Sequence, residues 1–317
     1  RGQSRPVQVS RTEPFRHHPR QCEGTSGVRP WPACLPGPAR CQHAAGLSLS
    51  QHPLTLPEHK VDWRTNPRAQ QFRARHFKPH GGPRHMSEPL VLRQDKDGLA
   101  TLTLNRPDKL NSLTVGMFRE LRHHVLDLEA DDSVNCVILR GAGKCFSAGH
   151  DLGDIAEGEK VPSPGWHSET LRLMERLPKP VIAAVHGHCY TGALEVALAA
   201  DFIIAAESAR FGDTHDKWAL TPIWGMSQRL PRRVGIATAK RLMFTADMIS
   251  ADEAFRIGLV EQVVADADFD SACQDLADRI LANSPFSHAA NKRLLEATDA
   301  RDLDSGLQWE ILNCEGV

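Results

Sequence analysis

The chain has 317 residues and a formal charge of -1, an average that hides two unlike parts. Residues 1–85 hold 14 of the 38 Lys+Arg, 4 of the 39 Asp+Glu, 12 of the 21 prolines and 8 of the 16 histidines, which leaves residues 86–317 with 24 Lys+Arg, 35 Asp+Glu and a net charge of -11. An acidic part of 232 residues gives no reason to expect nucleic acid, no apolar run reaches membrane-spanning length and none reads as a secretory signal, so a cytoplasmic domain with one sizeable core is expected.

Residues 1–85 lack periodic apolar pattern and cannot bury enough surface to offset their ordering entropy. Three readings compete. Arginine abundance suits an organelle presequence, but the Pro and His load does not suit an amphipathic targeting helix; a basic nucleic-acid arm is the second. The third, and the expected one, is a non-native upstream extension or misassigned start, with Met86, the first methionine, opening the folded protein. The eight cysteines (22, 34, 41, 136, 145, 189, 273, 314) show no CxxC or metal-ligand spacing, and Cys136, Cys145 and Cys189 lie in apolar runs as reduced core thiols.

From Met86 onward, Leu90–Asp95 and Leu99–Asn105 read as strands joined by an Asp97-Gly98 turn. After the loop Arg106–Ser112, Thr114 caps a helix through Glu129 whose apolar face is Met117, Phe118, Leu121, Val125 and Leu128. Val134–Arg140 is a β-branched buried strand, and Cys145–Leu152 a short strand leaving through a glycine loop. A polar loop, Ala156–Gly165, leads to a helix over Trp166–Leu177. Val181–Val185 is a buried strand, a helix opens near Gly192, and Phe202–Ala206 is a further strand. A polar loop (Gly212–Lys217) precedes helices from Ser227 and over Val234–Phe244; Ser250 caps Ala251–Ile257, with Gly258 as its C-cap and a strand at Leu259–Val264. Helices over Phe269–Asn283 and Pro285–Ala297 follow, and the tail Asn313–Val317 has no closing element. The alternation predicts repeated ββα units with helices outside stacked sheets.

Two small-residue turns carry the chemistry. Ser147-Ala148-Gly149-His150-Asp151 follows a strand, and Tyr190-Thr191-Gly192-Ala193 opens the helix containing Glu195. Small residues let backbone N–H groups approach a ligand, and a helix start leaves N–H groups unpaired. If Ala148 and Gly192 face each other, their N–H groups form an oxyanion hole for a thioester enolate; otherwise both are ordinary tight turns. Glu195, in the first turn of an apolar helix, is either a dipole-stabilised surface group or a placed acid/base.

With these residues in place, the chain resembles the crotonase family of enoyl-CoA hydratases and isomerases. The matching stretches are residues 102–113 (LTLNRPDKLNSL), 144–152 (KCFSAGHDL), 178–212, the P-x-x-G-x-S-Q-R-L run at 222–230, and 249–264 (ISADEAFRIGLVEQVV), in family order and spacing. The resemblance implies the α/β crotonase-like (ClpP/crotonase) spiral of ββα units over residues 86–270, with a helical region at 271–317 that is shorter than the family's. It implies oxyanion-hole N–H groups at Ala148 and Gly192 and a first catalytic glutamate at Glu195. The family's second glutamate, which supplies the proton taken up at C2, falls on His215. Four accounts of His215 stand: it is the proton donor; Asp213 or Asp216 takes that role; Glu195 alone runs a different reaction; or the protein binds acyl-CoA with little chemistry.

The resemblance places the coenzyme A head against Lys109, Leu110 and the segment holding Lys144, Ser147 and Ala148, with Lys109 and Lys144 as phosphate candidates. By its place in AGxD, Asp151 fixes the loop beside it. Coenzyme A is then part of the substrate, with no prosthetic group and no metal; His150, His186 and His188 are read as turn histidines. Acyl specificity is expected from Leu152–Pro164, the His167–Leu173 helix face and Trp218–Trp224. Family members assemble as homotrimers that pair into hexamers. Hydration of a 2-enoyl-CoA is the leading expectation, with isomerisation or another crotonase-type reaction, or acyl-CoA binding without turnover, as alternatives.

Overall fold

A computed structural model describes residues 88–298 and 301–314, so the reading of residues 1–85 lies outside the described residues. The hairpin forms as its turn chemistry dictates: β1 (Val91–Lys96) and β2 (Leu99–Leu104) pair antiparallel, and Asp97 and Gly98 both take positive φ, 51° and 84°. Every later strand of this sheet runs parallel to its neighbour: β3 (Cys136–Gly141), β4 (Val181–Val185), β6 (Phe202–Ala206) and β9 (Gln262–Val264), in the order β1-β2-β3-β4-β6-β9. A second sheet, β5 (His188–Tyr190), β7 (Arg210–Gly212) and β8 (Ile249–Ser250), takes the short strands between them. This is the expected spiral of ββα units with a helical C-terminal region.

Helices form the crossovers and, after β9, the C-terminal region. They are α1 (Val115–Ala130), α2 (Leu152–Glu157), α3 (Trp166–Glu175), α4 (Gly192–Ala197), α5 (Met226–Val234), α6 (Ile236–Thr245), α7 (Ala251–Arg256), α8 (Phe269–Leu281), α9 (Pro285–Glu296) and α10 (Leu303–Asn313). Thr114 caps α1 by accepting the Met117 N–H, and Ser250 caps α7 by accepting the Glu253 N–H. At the other end of α7, Gly258 turns left-handed (φ 76°), and its N–H and that of Leu259 reach the carbonyls of Phe255 and Ala254.

The strands alternate between two cores, as a period of two requires. Val137, Leu139, Val181, Ala183 and Ile203 face the core built with α1, α3 and α4. Cys136, Ile138, Ile182, Ala184 and Ile204 face Phe269, Cys273, Ala277 and Ile280 of α8. Burial of so much aliphatic surface, at roughly 25 cal/mol per Å² of apolar area, is what holds the turns at the strand ends in place.

Three sequence expectations are corrected. Residues 145–152 are not a strand: Ser147 and His150 make only single bridges, to Cys189 and Leu113, because Gly149 turns the chain at φ 99° and Asp151 then caps α2. The last helix, α10, lies within the expected helical region 271–317 but over a stretch for which no separate helix was bounded, and the small second sheet was missed because none of its strands exceeds three residues.

Candidate active site

Four consecutive chain crossings meet at the ends of β2, β3, β4 and β6. Leu113 N–H donates to Gly149 O at 2.8 Å and Asp151 N–H to Leu113 O at 2.8 Å, so the loop after β2 is laced to the 147–151 turn. Phe146 and Ser147 N–H groups donate to His186 O and His188 O at 2.7 and 2.9 Å. Thr191 N–H donates to Gly212 O at 2.8 Å, which sets the start of α4 beside the end of β7. Glycine makes this approach possible. A Cβ on Gly149 would stand 2.5 Å from Tyr190 O, and one on Gly192 would stand 2.4 Å from the Trp224 ring. Thr191 between them has φ 49° and ψ -115°, a conformation L residues rarely adopt.

The two turns predicted to meet are therefore brought together, but not with the expected pair of free amides. Ala148 N–H donates to Leu110 O at 2.9 Å and does not line the cavity beside α4. The neighbouring His150 does line it, as does Gly192 at the first position of α4, and neither of their N–H groups meets an acceptor among the described residues. The cavity measures about 200 Å³ and is bounded also by Ile155, Glu159, Glu195, His215 and Trp224.

Glu195 is 1% exposed. Its Oε1 accepts the Trp224 and Met226 N–H groups, each at 2.9 Å, so the loop entering α5 holds the carboxylate in one orientation. Burial pushes its pKa above the ordinary carboxylate range, against the Met226 N–H, the charge of His215 and the Trp224 N–H. Across the cavity, His215 begins a short 3-10 turn, and its Nδ1 lies 2.5 Å from Oδ1 of the buried Asp213. Asp213 also accepts the His215 N–H. Of the three candidates at this place, Asp213 orients the imidazole, His215 borders the cavity, and Asp216 is exposed and does not line this cavity.

On the remaining wall, Glu159 Oε1 lies 3.0 Å from His150 Nε2 and 3.4 Å from His167 Nε2. Burial lowers the His167 pKa to about 4, leaving a neutral ring packed on Phe118 and Trp224.

The residues assigned to coenzyme A divide into two groups. Lys109, Leu110 and Lys144 are exposed. They share one seam, because Asn111 Nδ2 donates to Ala142 O and Cys145 O at 2.8 Å each. Ser147 is instead fully buried, its hydroxyl donating to Asn111 O at 2.8 Å and accepting the Gly149 N–H, so its side chain does not face a ligand. Asp151 is likewise engaged: it accepts the Gly153 N–H and the Ser112 hydroxyl and pairs with Arg106 Nη1 at 2.9 Å. Burial opposes ionisation of Asp151, but Arg106, Ser112 and the Gly153 N–H outweigh it and hold the pKa low. Sequence reasoning did not single out Arg106, Asn111 or the orienting role of Asp213, for which an Asp two residues before a His is the signal, and it placed Glu159 only within the 152–164 segment expected to set acyl specificity.

Among the described residues no cluster of His, Cys, Asp and Glu is placed to hold a metal ion, and no helix is long and apolar enough to cross a membrane.

A sequence profile of the enoyl-CoA hydratase/isomerase family matches residues 94–315. Short-chain-enoyl-CoA hydratase of Clostridium acetobutylicum is 39% identical over 223 residues, 68% of this chain and 85% of that protein. Enoyl-CoA hydratase from Bacillus anthracis superposes with a TM-score of 0.69 at 35% identity, over 72% of this chain and 90% of that one. A Thermobifida fusca YX structure in complex with CoA superposes with a TM-score of 0.66 at 30% identity, over 71% and 91%.

Proposed function

This chain belongs to the crotonase, or enoyl-CoA hydratase/isomerase, family, and from that premise we propose that it adds water across the 2,3 double bond of a 2-enoyl-CoA thioester. The observation that carries the proposal is Glu195, a carboxylate 1% exposed at the base of a cavity that also meets Gly192 and His215. Packing alone would fill that helix position with an apolar side chain.

In this reading the thioester oxygen accepts the Gly192 N–H and an N–H of the 148–150 turn. His150 supplies it in the arrangement described, since Ala148 N–H is engaged by Leu110 O. These donors stabilise the enolate that forms when water adds. Glu195 takes a proton from the water as its oxygen attacks C3, a role that an elevated carboxylate pKa favours. His215, with Nδ1 committed to Asp213, delivers a proton to C2 from Nε2, and the proton on Glu195 returns to His215 when product leaves.

Coenzyme A enters as part of the substrate, with its phosphates near Lys109 and Lys144. Residues 86–270 carry the chemistry, with 271–317 as a helical region. A homotrimer, or a hexamer built from two, is supported by apolar side chains left exposed on α6, α7 and α10, among them Phe244, Phe255, Ile311 and Leu312. The buried free thiols Cys136, Cys145, Cys189 and Cys273 fit a reducing, cytoplasmic setting.

The test is crotonyl-CoA in ¹⁸O-labelled water, with the product mass measured. Wild type should yield labelled 3-hydroxyacyl-CoA, and Glu195→Gln should lower kcat about 100- to 10,000-fold. An imidazole where the family carries a second carboxylate favours isomerisation as the second reading. A folded, CoA-binding wild type that shifts the double bond of 3-enoyl-CoA without taking up label would establish it and remove the first.

A further inference from the structure

Glu159 has no part in the chemistry proposed above, yet it lines the same cavity as Glu195 and His215. Its side chain is 15% exposed, and both neighbouring imidazoles approach one oxygen, Oε1. Oε2 has no hydrogen-bond partner among the described residues. Burial works against ionisation of Glu159, but the hydrogen bond and charge of His150 outweigh it and hold the carboxyl below the usual range, so the open oxygen belongs to a carboxylate at neutral pH. Trp224 lines the same cavity, its ring 4.6 Å from His150 and 4.8 Å from His167, and its Nε1 is buried without a partner among the described residues. Glu159 Oε2 is thus the open acceptor of this wall, while His167 Nε2 and Trp224 Nε1 beside it are buried without a hydrogen-bond partner among the described residues.

A hydrocarbon acyl chain laid along this wall would strip water from Glu159 Oε2 and return nothing for it. A hydroxyl is the group that donates and accepts at once. Size sets the rest: at about 200 Å³ the cavity lies below the roughly 300–1,000 Å³ of pockets that take drug-sized ligands, which favours a short chain.

Resting on the enoyl-CoA reading, we infer that this site is built for a short acyl chain carrying a hydroxyl near its far end, with Glu159 Oε2 accepting that O–H. Glu159 is then a specificity-determining residue. It recognises the substrate without entering the bond-making step.

The experiment measures kcat/KM of the full chain for two matched pairs: crotonyl-CoA with 4-hydroxycrotonyl-CoA, and 2-hexenoyl-CoA with 6-hydroxy-2-hexenoyl-CoA. Wild type should prefer the hydroxylated member of at least one pair by about tenfold or more. Glu159→Leu should bring that ratio to one or below while still turning over the plain substrate, and Glu159→Gln, which keeps a carbonyl acceptor, should retain most of the preference. Wild-type ratios of one or less for both pairs overturn the inference without any variant, as does a ratio unchanged in Glu159→Leu. Should wild type hydrate none of the four, the hydration reading falls and the specificity is read from binding. Calorimetric Kd values for butyryl-CoA against 4-hydroxybutyryl-CoA, and hexanoyl-CoA against 6-hydroxyhexanoyl-CoA, then decide it. About tenfold tighter binding of a hydroxylated ligand supports the inference, and equal affinities within both pairs overturn it.

Discussion

Glu195 shows what a buried carboxylate costs the fold that carries it. Its folded pKa is raised by burial, so the protonated form suits the native state better than the ionised one. Stability from this group is fully present below the ordinary glutamate pKa and is lost as pH rises through the folded value. Replacing Glu195 by Gln keeps an oxygen for the Trp224 and Met226 N–H groups and removes the charge. Calorimetry should therefore show Glu195→Gln melting above wild type at pH 7–8, by on the order of 2–4 °C for each kcal/mol relieved. The gap should close below about pH 4; a gap constant across that range would contradict a buried, ionised carboxylate. At this scale the sequence announced its site only in part. Glu195 stood out because it interrupts an apolar helix, and Gly192 because a helix start wants small residues. Ala148 was misread because residue type cannot tell which of three successive amides is already bonded, here to Leu110 O. Glu159 carried no signal beyond its place in the 152–164 segment, since a glutamate in a polar loop is ordinary until the fold sets two imidazoles against it.

Among elements, the 147–151 turn and the start of α4 act as one unit, and Gly149 is where they touch. Its φ of 99° and the 2.5 Å approach of an added Cβ to Tyr190 O leave no relaxed place for alanine. Gly149→Ala should lose about 1–3 kcal/mol in denaturant unfolding. It should also lower kcat more than KM rises, because the displaced amides serve the enolate more than the ground-state carbonyl. A variant of reduced stability with unchanged kcat would show that the turn is scaffold alone. The long parallel strands β3, β4 and β6 were readable as apolar runs bounded by turn residues, and α1 from its cap and periodic face. The second sheet was not, because two- and three-residue strands carry no periodicity and exist only through their neighbours: Phe211 pairs with Cys189 on one side and Ile249 on the other.

For the molecule as a whole, the spiral leaves apolar side chains exposed on α6, α7 and α10 and the loop between the first two, among them Phe244, Met248, Phe255, Leu303 and Ile311. The proposed assembly would cover side chains of this kind. Sedimentation should give a mass of three or six chains, and aspartate at Phe244 and Phe255 together should shift it toward the 35.0 kDa chain; a monodisperse monomer in the wild type would contradict the assembly. The fold class was legible from the order of elements and the family resemblance together, whereas the expectation of assembly comes from the resemblance. The central claim remains that backbone amides of the two turns converge on a thioester oxygen. Infrared difference spectroscopy of butyryl-CoA carrying ¹³C at the carbonyl reads that contact directly, without turnover. The account predicts a carbonyl stretch clearly lower when bound than in water, and its partial return in Gly149→Ala; a bound stretch equal to that in water would contradict it.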